Sequence, residues 1–219
     1  ETLFRPLERH FEWYDSLFAC YRPKMSGDIT PGYWRLNSDV IEAFHARYPK
    51  ARYLAILRNP VARVVSAMNK KVNKGLMTVE DARRNLEAAD SRLPRLLPSR
   101  AIEKWSAVVG RDAILTLTLD DVIADPQAAR HTIYDFLNLS RDPSKIDLSL
   151  TDNRKQNRFP NLLGDLDTSN LRRRYDEEIE RCRALIGGAT WNCRKAVPCR
   201  WPTTSLPLAQ FIPMRLVSE

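Results

Sequence analysis

Two rhythms of apolar residues run along this chain. "PLERHFEWYDSLFACY" repeats aromatic and aliphatic positions on one side of a helix that Pro6 opens. "NSDVIEAFHARYP" predicts a second helix, with Asn37 or Ser38 as cap, Val40, Ile41, Phe44 and Tyr48 at helical spacing, and Pro49 as the stop. Then the rhythm changes. "RYLAILR" is a short, dense apolar run of the kind found in a buried parallel strand, and "AILTLTL" (113–119) is another. The helix after the first of these carries Val61, Val64, Val65, Met68 and Val72 on one stripe. Residues 79–109 read as helical but are broken at Pro94 and Pro98, and Asp125–Pro126 starts a further helix.

Beyond Leu139 the pattern dissolves into a polar loop, roughly 140–166. A last helix is expected with Thr168 or Ser169 as cap, Leu171, Tyr175, Ile179, Cys182 and Ile186 as its stripe, and Gly187–Gly188 as its end. Apolar strands alternating with helices predict the α/β class: a parallel sheet with helices on both faces, three layers deep. The expected division is one domain over 1–191 and an irregular, proline-bearing tail over 192–219.

Composition narrows the class of partner. The 219 residues include 35 Lys and Arg against 27 Asp and Glu, a net +8, which favours an anionic ligand without choosing one. No apolar run is long enough to span a bilayer, and a cytoplasmic location is the expectation, although a chain that opens at Glu1 need not carry its true N-terminus. Cys20, Cys182, Cys193 and Cys199 lack C-x-x-C spacing and the three histidines are scattered, so no metal site is expected. Cys193 and Cys199 could close a small loop or remain free thiols. No RNA-binding signature or helix-turn-helix is present, so nucleic acid is not the expected partner.

The chemistry concentrates in "RYLAILRNPVARVVSAMNK". Arg58 stands where the apolar strand ends, and ligands in open α/β sheets bind beyond the carboxyl ends of strands. Arg63, Ser66 and Lys70 share a helix face opposite the valines. A guanidinium fork, a hydroxyl and the backbone N–H groups of a helix start would together hold a phosphate. The competing use is structural: salt bridges for Arg58 and Arg63, and a surface position for Ser66.

"YPKARYLAILRNPVARVVSAMNK" resembles the segment that binds the 3′-phosphate of the nucleotide in sulfotransferases dependent on 3′-phosphoadenosine 5′-phosphosulfate (PAPS), with matches at Tyr48, Pro49, Arg58, Pro60, Arg63 and Ser66. The resemblance implies that Arg58 and Ser66 contact that phosphate. "SGDITPGYW" resembles the family's Gly-Glu-x-Thr-Pro-x-Tyr segment, which implies Asp28 as the general base, one methylene shorter than the usual Glu. Later stretches, "TLTLDDVIADPQAARHTIYDFLNL" and "NLRRRYDEEIERCRALIGGATW", resemble the family's closing elements in the same order. "KQNRFP" resembles a Lys-Gly-Arg-x-Tyr-Pro element that closes over the nucleotide, which implies Lys155 and Arg158 as further contacts.

What the resemblance implies is a P-loop-like sulfotransferase moving a sulfuryl group from PAPS to a hydroxyl or amine acceptor, a carbohydrate among the candidates. Its lysine- and glycine-bearing phosphosulfate loop has no counterpart in these residues. The expectation is that this loop lies upstream of Glu1. The alternative is a relative that binds a nucleotide or an anionic glycan without transferring anything. Tyr33 and Trp34, beside Asp28, could stack on an acceptor or simply pack.

Overall fold

The computed structural model describes residues 7–19, 25–88, 97–140, 169–186 and 211–215. Helix α1 is Leu7–Leu17, strand β1 Ser26–Gly27, and a 3-10 turn covers Pro31–Arg35 before α2, Ser38–Arg47. Strand β2, Arg52–Leu57, runs into α3, Pro60–Asn73, followed by α4, Val79–Glu87, and α5, Pro98–Val109. Strand β3 is Ile114–Thr118, and α6 (Leu119–Ala124), α7 (Pro126–Phe136), α8 (Ser169–Ile186) and β4 (Phe211–Arg215) complete the order.

Strands β2 and β3 pair in parallel, with Tyr53 opposite Ile114 and Leu57 opposite Thr118. Their carboxyl ends therefore lie side by side, and Arg58 enters the loop next to the start of α6. Side chains alternate across β2. Tyr53, Ala55 and Leu57 face the helices that carry the two main core clusters. Arg52, on the opposite parity, lays its guanidinium 5.4 Å from the ring centroid of Phe136 in α7. Helices thus cover both faces, and the expected three-layer α/β architecture stands.

One core cluster is aliphatic. Val61, Val64, Val65, Met68 and Val72 of α3 are all buried, against Leu86 of α4, Ile102 of α5 and the Leu171–Tyr175–Ile179–Cys182 stripe of α8. The other is aromatic: Tyr53 lies 5.1 Å from Trp105, and Phe44 lies 4.8 Å from Tyr48, ring centroid to ring centroid. Each such side chain taken out of water contributes about 1.5 to 3 kcal/mol. Asp15 of α1 accepts from Tyr48 Oη at 2.9 Å and pairs with Arg47 at 2.6 Å, which fastens α1 to the end of α2.

A polar lock crosses the aliphatic cluster. Glu178 of α8 is only 5% exposed, yet its Oε1 accepts from the backbone N–H of Ser99 at 2.7 Å and its Oε2 from Ser99 Oγ at 2.7 Å. Ser99 is fully buried near the start of α5, so the carboxylate meets free amide donors and the positive end of a helix. Beside it, burial first and Glu178 second push the Cys182 thiol well above its ordinary pKa, leaving it an inert core group.

The chain departs from expectation in its tail. Residues 192–219 are expected to be irregular, but Phe211–Arg215 forms β4 between β1 and β2, antiparallel to both. "FIPMR" has no hydrophobic period long enough to announce a strand, and Pro213 argues against one inside a sheet. The free edge of β2, with its row of unpaired backbone groups, supplies the pairing that local sequence does not. Two smaller elements, β1 and the 3-10 turn at Pro31–Arg35, also fall within what reads as loop. The segments holding Cys20, Cys193 and Cys199 lie outside the described residues.

Candidate functional site

The site begins where β2 stops. Leu57 is fully buried, and the next residues, Arg58-Asn59-Pro60, turn the chain into α3. Pro60 suits the first helical position, and Asn59 caps the helix: its Oδ1 accepts from Val61 N at 3.0 Å and Ala62 N at 3.4 Å. Arg63 N already bonds Asn59 O at 2.9 Å. The helix-start amides expected to hold an anion are therefore engaged by Asn59, and that part of the expectation is corrected.

The side chains around this turn are cationic and under-compensated. Arg58 has its pKa lowered, chiefly by burial, with Asp120 at the start of α6 pulling it back up. Arg63 is also lowered, first by burial; Tyr175 of α8 opposes the shift, while Arg35 and Arg58 add to it. Two guanidiniums, Arg35 from the 3-10 turn and Arg58 from the end of β2, thus lie within electrostatic reach of Arg63 in the first turn of α3. Among the described residues the side chains of Arg35, Arg58 and Arg63 make no hydrogen bond and no ion pair at contact distance, and the Arg63 Nε is buried without a partner. Buried donors are nearly always satisfied, and the Arg63 Nε is an exception. Ser66 follows Arg63 by three positions on the same face and is half-buried, while Lys70 is exposed.

Asp28 stands elsewhere. Tyr33 Oη donates to its Oδ2 at 2.6 Å, and its Oδ1 is buried without a partner of good geometry. Burial raises the carboxyl above the ordinary aspartate range, and hydrogen bonds from Tyr33 and Tyr14 lower it without cancelling that rise. Reciprocally, burial and the Asp28 charge push both phenols upward, so they stay neutral donors. Tyr33 itself is core: it is buried, and its carbonyl accepts from Trp105 Nε1 at 3.3 Å. Trp34 packs against both clusters. Of the two uses open to this aromatic pair, packing is what the structure displays.

The sheet register sets the distance between the two halves. Met214 pairs with Gly27 on one side and Arg52 on the other, so Asp28 continues at the level of Tyr53. Arg58 is five positions further along, roughly 17 Å at about 3.3 Å per residue. Arg63 and Ser66 thus share a face of α3, the helix that follows Arg58, while Asp28 follows β1, which β4 separates from β2 in the sheet. Lys155 and Arg158 lie outside the described residues. Sequence reasoning missed Asp120 near Arg58 and Arg35 near Arg63, because no periodicity or spacing ties either pair together; only tertiary folding does.

Comparison with known proteins shows the family and the fold. The profile of the Sulfotransferase family matches residues 12–143, more than half of the chain. The chain belongs to the Sulfotransferase family. Its fold resembles the crystal structure of a sulfotransferase from Alicyclobacillus acidocaldarius, with a TM-score of 0.50 and 22% sequence identity. That likeness covers 71% of this chain, which spans 62% of the length of the bacterial protein. No curated protein matches the chain. Among the described residues of this family member, no helix is long and apolar enough to cross a membrane, and no cluster of His, Cys, Asp and Glu could hold a metal ion.

Proposed function

We propose that this chain serves a sulfotransferase that moves a sulfuryl group from PAPS to a hydroxyl or amine acceptor, with Arg58 and Ser66 on the donor's 3′-phosphate and Asp28 as the base. The observation that carries the reading is the arginine cluster at the end of β2, cationic, partly dry and without contact partners among the described residues. A phosphate monoester supplies what it lacks: up to two negative charges and several acceptor oxygens. Lys155 and Arg158 are further candidates for closing over the nucleotide.

In this reading the donor supplies the sulfuryl group on its 5′-phosphate. Asp28 takes the proton from the acceptor O–H or N–H as that atom bonds to sulfur. The S–O bond to the 5′-phosphate breaks, and its electron pair leaves with 3′-phosphoadenosine 5′-phosphate. A carboxyl whose pKa is raised by burial is a stronger base than a free aspartate, and its buried Oδ1 is the oxygen left for the proton. The arginines act by positioning the donor and offsetting its charge.

One contact favours a second reading. Already engaged by Tyr33, the Asp28 carboxylate could serve the turn alone, in a protein that binds its anion without transfer. Two measurements on the full chain separate the readings. Adding 3′-phosphoadenosine 5′-phosphate at 100 times its Kd should stabilise either a transferase or a binder by about 2.7 kcal/mol, seen as a higher melting temperature. Sulfuryl transfer from PAPS to a panel of hydroxyl and amine acceptors should then be detectable, and Asp28→Asn should lower it about 10²- to 10⁴-fold while leaving nucleotide binding intact. No thermal shift sinks both readings; binding without transfer leaves the second.

A further inference from the structure

We propose that Lys104 and Trp105 of α5 are positioning residues for the Asp28 base: together they hold the backbone of the 3-10 turn whose Tyr33 hydroxyl fixes one oxygen of the carboxylate. The inference rests on Asp28 as the base and deepens that reading with two residues that neither the motif nor the comparisons assign.

The turn is locally weak. Pro31–Arg35 is five residues of 3-10 helix, a form with poorer hydrogen bonds than an α-helix, and its Thr30 cap makes no side-chain bond to it. Its backbone bonds are long: Tyr33 N to Thr30 O at 3.3 Å and Leu36 N to Tyr33 O at 3.2 Å. Yet Tyr33 Oη meets Asp28 Oδ2 at 2.6 Å, at the short end of the hydroxyl–oxygen range, which tolerates little play in the backbone behind it. Something outside the turn must therefore hold it.

Helix α5 does so at two carbonyls, from 68 and 72 residues further along the chain. Lys104 Nζ donates to Leu36 O at 2.5 Å, just past the end of the turn, and Trp105 Nε1 donates to Tyr33 O at 3.3 Å. The first is a half-buried, charge-assisted bond, stronger than a neutral one. The second fixes the backbone of the residue whose hydroxyl holds Asp28, and the Tyr33 ring between those two bonds is buried. Helix α5 is itself well anchored. Trp105 is 1% exposed and lies 5.1 Å from the ring of Tyr53 in β2, Ile102 belongs to the aliphatic cluster, and Ser99 is bonded to Glu178 of α8. A continuous line of contacts thus runs from the sheet through Trp105 and Tyr33 to Asp28. Proton transfer is sensitive on this scale, because a group misplaced by about 1 Å loses about a hundredfold in rate.

Transfer from PAPS to the acceptor panel, together with an NMR titration of the Asp28 carboxyl in the full chain, tests this. Burial raises that carboxyl, and bonds from Tyr33 of the turn and Tyr14 of α1, the titratable groups that face it, both favour its charged form. Lys104→Met and Trp105→Phe should each lower kcat about 10- to 10²-fold at unchanged nucleotide affinity. Both should also move the Asp28 titration and the acid limb of the rate to higher pH, as Tyr33→Phe does. Lys104→Arg, which keeps a charged donor, should restore most of the rate. In a Tyr33→Phe background Lys104→Met should add no further shift, because the bond it protects is already gone. Ile102→Val, which loosens the same helix without touching the turn, should lower the melting temperature and move neither kcat nor the titration. Wild-type kcat and titration in both Lys104→Met and Trp105→Phe overturn the inference and leave Asp28 standing as the base. A loss of rate that only tracks the folded fraction overturns it too. Undiminished transfer by Asp28→Asn removes the base and the inference with it.

Discussion

Glu178 of α8 and Arg63 of α3 are a carboxylate and a guanidinium on two helices that pack against each other, and the fold treats them in opposite ways. Glu178 sits at 5% exposure with both oxygens bonded to Ser99 at 2.7 Å. Arg63 reaches beside Tyr175 with Nε unpartnered and two other arginines for company. A satisfied buried charge is a structural tie, because its desolvation is met by hydrogen bonds from within the fold. A buried charge left without partners costs stability until something outside the chain arrives. The same core region thus contains one charged group whose hydrogen bonds are met within the fold and one whose Nε is not.

The sharpest way to break this contrast is Arg58→Ala. Truncating one member of a buried charged contact should weaken 3′-phosphoadenosine 5′-phosphate binding by about 2 to 5 kcal/mol, with the unliganded melting temperature nearly unchanged. Next in size is Glu178→Ala, which strands the amide and hydroxyl of Ser99 and should destabilise the fold by about 3 kcal/mol in urea unfolding, at unchanged nucleotide affinity in the folded protein. Glu178→Gln, which keeps an acceptor for Ser99, should cost less. If the two variants exchanged their effects, the division between tie and receptor would be wrong.

Arg63→Met should move stability the other way. Replacing an unpaired guanidinium by an apolar chain of similar length is expected to raise unfolding free energy by about 1 kcal/mol while impairing binding, the usual exchange at functional sites. A destabilised Arg63→Met would mean that the guanidinium is supporting the fold after all.

The smallest effect concerns pH. Asp28 has a raised pKa in the fold, so the native state holds its proton more tightly than the unfolded chain does, and stability falls as pH rises from the ordinary aspartate value through the raised one. Asp28→Asn should flatten that slope and raise the melting temperature at neutral pH. Tyr33→Phe removes a bond that favours the carboxylate, so the acid limb of the transfer rate should move to higher pH.

Much of the scaffold was legible because its signals are local. The stripe Val61, Val64, Val65, Met68, Val72 is buried as its spacing requires, Pro98 begins α5, and Asp125 caps α7 by accepting from Ala128 N. The place of Arg58 at the end of β2 and of Ser66 on the half-buried side of α3 was legible from strand and helix spacing. Long-range relations were not. Nothing in "GYWR" says that Arg35 will approach Arg63, nothing in the last helix marks Glu178 as the cap of a helix that starts some 80 residues earlier, and nothing in "FIPMR" names β2 as its neighbour. Asn59 is a subtler case: a residue well suited to cap a helix will do so, and by doing so it withdraws the amides that the motif appeared to offer.

The insertion of β4 has a consequence for how this protein is made. Strand β1, which leads into Asp28, reaches β2 only through β4, and Met214 lies roughly 160 residues after its partner Arg52. Domains generally begin to fold as they emerge during synthesis, and contacts between distant residues form slowly. Arg58, Arg63 and Ser66 come from one strand end and the helix after it, and can be placed early. The sheet around Asp28 cannot close until β4 has left the ribosome, so a nascent chain would place these arginines well before its carboxylate is held.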